Sequence, residues 1–178
     1  MLDNLMNLVR QYAGNAVVNN PAIPNEHNEA AVQSAGSSIM STLQNALSGG
    51  RLNDVLGFFK NGGAGSHDIV QEATGNYAQD LQNKFGVNAA EAQSVANQVV
   101  PQTMNQLASK AADPSDNSFN IQNIFNQLSG GKTGGLNVQG MLNRFGDKDG
   151  DGDVDIQDLK SAFAGSGGLM DKVKGFFS

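Results

Sequence analysis

The sequence predicts an all-α protein: a compact multi-helix domain of short helical hairpins, followed by a C-terminal helix–loop–helix. Apolar residues recur at three- and four-residue steps in every stretch long enough to form an element. Clusters of glycine, proline and asparagine punctuate the chain between those stretches. No segment shows the alternating, β-branched pattern that a half-buried strand needs. With 178 residues, one domain can bury roughly 70% of the surface its unfolded chain exposes.

Taken in order, residues 2–18 read as an amphipathic helix, with Leu5, Leu8, Val9 and Tyr12 on one side and amides on the other. Asn19, Asn20, Pro21 and Pro24 break it. A long helix from Glu26 to Leu47 carries Val32, Gly36, Ile39, Leu43 and Leu47 along one face, and Ala35-Gly36-Ser37 lets a neighbour come close at some cost in propensity. Gly49 and Gly50 end it. A short helix, Asn53 to Lys60, bears Val55, Leu56, Phe58 and Phe59 and closes at Gly62 and Gly63. Ser66 is placed to cap the next helix, which runs to about Phe85 through Val70, Ala73, Tyr77 and Leu81 and stops at Gly86.

Asn88 with Glu91 makes a capping box for a helix carrying Ala92, Val95 and Val99. Pro101 predicts a kink or split before Met104 and Leu107 resume the pattern. The run Asp113-Pro114-Ser115-Asp116-Asn117 is the expected internal boundary, and Ile121, Ile124, Phe125 and Leu128 mark a short helix beyond it. The organisation that follows is a helical domain over 1–112, a linker with a short helix over 113–135, and a helix–loop–helix segment with an amphipathic tail helix over 136–178.

The C-terminal segment holds the chemistry. Asp147, Asp149, Asp151, Asp153, Asp155 and Asp158 crowd a twelve-residue stretch and would repel one another strongly without a cation. With Asp147 at position 1, carboxylates fall at 1, 3, 5, 9 and 12, and Gly152 falls at position 6, where the loop must turn sharply. Asp153 at position 7 would contribute its backbone carbonyl. Registers starting two or four residues later put Val154 or Ile156 at the turn, so only this one supplies the glycine. Val138, Met141, Leu142 and Phe145 before the loop, and Ile156, Leu159 and Phe163 after it, present apolar faces at helical spacing.

This stretch resembles the EF-hand family, and within it the dockerin-type repeat D-x-D-x-D-G-x-V-D-x-x-D-L. The resemblance implies a bound Ca²⁺. Asp158 stands where most EF-hands have glutamate, and its shorter arm predicts weaker Ca²⁺ binding and less rejection of Mg²⁺. Only one such loop is present, which favours a structural role for the ion over a switch.

Net charge is −6, but the loop alone holds six aspartates and one lysine, so the acidity is local and no basic surface remains for nucleic acid. The absence of cysteine removes thiol chemistry and cysteine-based zinc sites. The N-terminus lacks a basic start and a continuous apolar run, so no signal peptide is read, and nothing approaches a membrane span. Either the protein acts in the cytoplasm, or it is exported by another route, or its leader has been removed. A weak calcium loop would fill at millimolar, extracytoplasmic calcium, which argues for the cell exterior or the periplasm.

No catalytic grouping stands out. Gly131-Lys132-Thr133 has the tail of a phosphate loop without its first glycine, and His27 and His67 lie far apart without further ligands nearby. An enzyme is therefore not expected. Asparagine and glutamine fill polar faces where Lys and Glu usually stand, which suits a protein buried against a partner and would also arise from genomic composition bias. The tail, 169–177, carries Leu169, Met170, Val173, Phe176 and Phe177 as an apolar stripe. It can cover the open side of the lone helix–loop–helix, dock in a partner's groove or lie on a membrane. A short echo, Leu47-Ser48-Gly49-Gly50 against Leu128-Ser129-Gly130-Gly131 and Ser166-Gly167-Gly168-Leu169, reads either as repeated hairpins or as glycine turns that look alike.

Val17-Val18-Asn19-Asn20, Ile23-Pro24-Asn25, Glu26-His27-Asn28-Glu29-Ala30, Lys84-Phe85-Gly86-Val87 and Lys110-Ala111-Ala112-Asp113-Pro114 resemble a group of small helical Bacteroidota proteins related to the YidB-like family. In that phylum such a protein is similar to the plug subunits that close the periplasmic mouth of the type IX secretion translocon. The resemblance implies a non-enzymatic, periplasmic or membrane-complex-associated subunit whose partner is a large translocon protein. The rival expectation is a cytoplasmic calcium buffer or sensor.

Overall fold

A computed structural model of the chain describes residues 2–63, 67–113, 115–116, 119–131, 138 and 140. Helix α1 (Leu2–Ala13) runs directly into a π-helical turn, Gly14–Val18. A 3₁₀ turn, Asn25–His27, leads into α2 (Asn28–Ser48), and α3 (Leu52–Lys60), α4 (His67–Phe85), α5 (Ala89–Ala112) and α6 (Ile121–Leu128) follow. The described residues contain no strand, and the all-α class holds.

The apolar stripes read from the sequence are the buried faces. Leu5 and Val9 of α1, Ile39 and Leu43 of α2, Tyr77 and Leu81 of α4, and Val95, Val99 and Leu107 of α5 meet in one core. Each large apolar side chain taken wholly out of water contributes about 1.5–3 kcal/mol. Helix α5 packs on α1, α3 and α4, and α2 packs on α1, α3, α4 and α6. Gly36 is the closest approach: a Cβ built there would lie 2.5 Å from the Met6 sulfur of α1, so its missing side chain makes room for that helix.

Pro101 does not split α5, which runs unbroken from Ala89 to Ala112. An internal proline costs about 3 kcal/mol. Val95, Val99 and Val100 before it, and Met104 and Leu107 after it, are all essentially buried, and their combined burial outweighs that cost.

Phe119, Ile121, Ile124 and Phe125, read as part of a linker region, lie in the same core as the helices before them. The Phe125 ring sits 5.8 Å from Phe59 of α3. Asn120 begins α6 by accepting the backbone N–H groups of Gln122 and Asn123. The glycine echo is turn chemistry. Gly49 has φ −78° and only Gly50 turns positive, whereas Gly130 and Gly131 are both positive, so the two joints differ in backbone conformation. The third copy, 166–177, lies outside the described residues, as does Ser66.

Two substitutions test the packing. Gly63 has φ +86°, and a Cβ there would meet Asn105 of α5 at 2.6 Å from Oδ1 and 3.0 Å from Cα, which is backbone and cannot yield cheaply. Gly63→Ala is expected to lose more than about 1 kcal/mol in denaturant unfolding. The Tyr77 hydroxyl is buried without a hydrogen-bond partner among the described residues, and burial pushes its ionisation well above the ordinary tyrosine value. Tyr77→Phe is expected to leave the melting temperature unchanged or raise it, because an unsatisfied buried hydroxyl costs roughly 1–3 kcal/mol.

Candidate functional site

The metal-site residues read from the sequence, Asp147, Asp149, Asp151, Asp153, Asp155 and Asp158, lie outside the described residues, as does the tail over 169–177. Among the described residues, no three His, Asp or Glu side chains come together in a way that could hold a metal ion. His27 lies at the start of α2 with its ring 5.8 Å from Phe85, and His67 opens α4.

What the structure does place on the way to the loop is Val138. Val138 is helical, 1% exposed, and packed in the core. Its backbone N–H donates to Gln122 Oε1 at 2.9 Å. Gln122 lies in the first turn of α6, whose start is fixed by the Asn120 cap. The sequence thus docks residue 138 by two independent means, an apolar side chain and a main-chain hydrogen bond.

A polar seam joins α2 to α4. Ser34, Ser38 and Thr42 are one helical turn apart on a buried face of α2. Opposite them, Asp80 Oδ2 accepts from Ser34 Oγ at 2.6 Å, Ser38 Oγ at 3.4 Å and Lys84 Nζ at 2.8 Å. One turn back, Asn76 Nδ2 donates to Thr42 Oγ1 at 3.0 Å. Beyond that, Arg51 pairs with Glu72. Burial pushes the Asp80 carboxyl upward, but the Lys84 and Ser34 hydrogen bonds, the Lys84 charge and the Ser38 hydroxyl outweigh it, so the net shift is downward. Sequence reading missed this seam. Its signal is three hydroxyls at four-residue spacing on an otherwise apolar helix face.

A groove of about 390 Å³ lies between α4 and α5. Gln71, Thr74 and Gly75 line it from one side, and Gln93, Asn97 and Pro101 from the other. Gln93 Nε2 donates to Asn97 Oδ1 at 3.0 Å, and Thr74 Oγ1 turns back to the Val70 carbonyl at 2.7 Å. A second hollow, about 410 Å³, sits in the Val18–Asn25 loop, beside Val18, which is 47% exposed. No helix among the described residues is long and apolar enough to cross a membrane.

Comparison with known protein families, with curated proteins and with solved structures gave no match. The class defined by fold is therefore an all-α helical body, with a neutral groove and a polar interhelical seam.

The seam makes a pH prediction. A carboxyl whose folded pKa is depressed contributes stability that is present above its unfolded value and is lost as pH falls through the folded one. Stability from Asp80 is therefore held at neutral pH and lost on acidification below its ordinary value of 3.8. Asp80→Asn is expected to cost about 1–2 kcal/mol at pH 7 and to flatten the acid limb of stability against pH. An unchanged acid limb would show that the seam carries no such linkage.

Proposed function

We propose that this protein is a non-enzymatic helical subunit that docks on and occludes a larger assembly, with a calcium ion bracing its C-terminal segment. The observation that carries this reading is the seating of Val138 on α6, by a buried side chain and a bond to Gln122. An ion gathered by Asp147, Asp149, Asp151, Asp155 and Asp158, with the Asp153 carbonyl, would therefore stiffen a segment whose start is held to the body.

The surface supports the docking role. From Ala92 to Ser109, α5 has no charged residue, and its outward positions are Gln93, Ser94, Asn97, Gln98, Gln102 and further amides and hydroxyls. Neutral faces are less costly to desolvate against a partner than charged ones. The assembly suggested by the sequence resemblance is the type IX secretion translocon, with this chain closing its periplasmic mouth. Closing a pore needs shape, a contact surface and rigidity.

Two measurements test the reading. Calcium at a hundredfold excess over its Kd is expected to stabilise the wild-type chain by about 2.7 kcal/mol, a rise of several degrees in Tm, and to leave Asp147→Ala and Asp158→Ala unmoved. Equal melting of all three in calcium would remove the ion from the account. Native purification from the source is expected to recover the chain with a large membrane-complex protein. Elution alone under every condition would contradict docking, and micromolar calcium affinity with a large helical rearrangement would mark a sensor instead.

A further inference from the structure

We infer that the groove between α4 and α5 seats a short, uncharged, polar segment of the partner protein; this rests on the docking reading above and names the surface it uses. Its polar lining side chains, Gln71, Thr74, Gln93 and Asn97, are amides and a hydroxyl, with no charged group. A carboxylate or ammonium seated there would be desolvated without a counter-charge, whereas peptide groups and small hydroxyl or amide side chains would find both donors and acceptors. Its volume is about 390 Å³, and Val70 adds one apolar side chain to the polar lining.

Gly75 is the independent observation. It lies inside α4, where glycine lowers helix stability relative to alanine. Its φ is not positive, and a Cβ built there meets nothing within 4 Å. Packing within the body thus gives no reason for the missing side chain. This contrasts with Gly36, which makes room for Met6, and Gly63, which fits against Asn105. Gly14 and Gly57 also have open space, but neither lines this groove. At Gly75 the absent side chain leaves the groove floor clear for an occupant.

Pro101 adds to the same wall. It has no N–H, so the Asn97 carbonyl lacks the donor that a residue four positions on would supply in a regular helix. Asn97 and Pro101 both line the groove.

The test uses the full chain, ¹⁵N-labelled, with calcium present. The probe is a defined pool of synthetic heptapeptides built only from Gly, Ser, Thr, Asn and Gln, compared with the same peptides carrying a central Asp or Lys. The neutral pool is expected to shift the resonances of Gln71, Gly75, Gln93 and Asn97, and the charged pools to shift them far less. Gly75→Ala should weaken the shifts while raising the melting temperature. Gly75→Arg should lose them while melting at or above the wild-type temperature, since the position favours any helix former over glycine. Four results would overturn the inference: no shift at these residues, equal shifts from charged peptides, shifts that survive Gly75→Arg, or concentration-dependent shifts without peptide, which would assign the face to a second copy. Absent shifts with co-purification intact remove the groove alone. Shifts present in a chain that elutes alone remove the docking reading and support a peptide site.

Discussion

The buried face of α5 is the constraint on which the rest depends. Val95, Val99, Val100, Met104 and Leu107 form a continuous apolar rail on either side of Pro101, and α1, α3 and α4 all rest on it. Five such side chains outweigh one proline by a wide margin, so the helix stays whole. Because it stays whole, Asn105 stands where Gly63 must pass, and Asn97 and Pro101 stand opposite Gly75. A helix broken at Pro101 would have given two shorter pieces and no continuous wall for the groove.

Charge is managed by pairing. Arg10 meets Glu29, Arg51 meets Glu72, Lys84 meets Asp80 and Lys110 meets Asp116. The exposed pairs are worth little as stability. The outer face of α5 from Ala92 to Ser109 carries amides and hydroxyls, and most of the net charge lies in the aspartate loop. Asp80 differs from the others. Its carboxylate is three-quarters covered and receives two serine hydroxyls as well as the lysine, so it fixes the register of α4 on α2.

The helices were legible because their buried faces follow the helical repeat, with Tyr12 and Val70 only partly buried. Leu5 and Val9, Ile39 and Leu43, and Ile121, Ile124 and Phe125 all lie where their spacing places them. Gly86, with φ +69°, and the Asn88 cap on the Glu91 N–H were equally readable, since each has a local chemical cause. Of the kink or split read at Pro101, the split does not occur, because tertiary burial overrides the local penalty. The π-helical turn at Gly14–Val18 was missed, since residues 2–18 keep one apolar face whether the last turn is wide or regular. The Asp80 seam and the Gly75 groove were invisible for a shared reason: each needs two helices brought side by side, and a single strip of sequence shows only half of either. The aspartate loop was read from spacing alone, and its residues fall outside those the structure describes.

The proposed calcium site would act on the helical body through Val138, which Gln122 and the core hold. Amide hydrogen exchange on the full chain, with and without calcium, measures that action directly. The predicted result is that calcium slows exchange at Val138 and across Ile121–Leu128, while the buried amides of α2, α4 and α5 keep their rates. Exchange at Val138 and α6 that is indifferent to calcium, with changes confined to the aspartate loop, would contradict it.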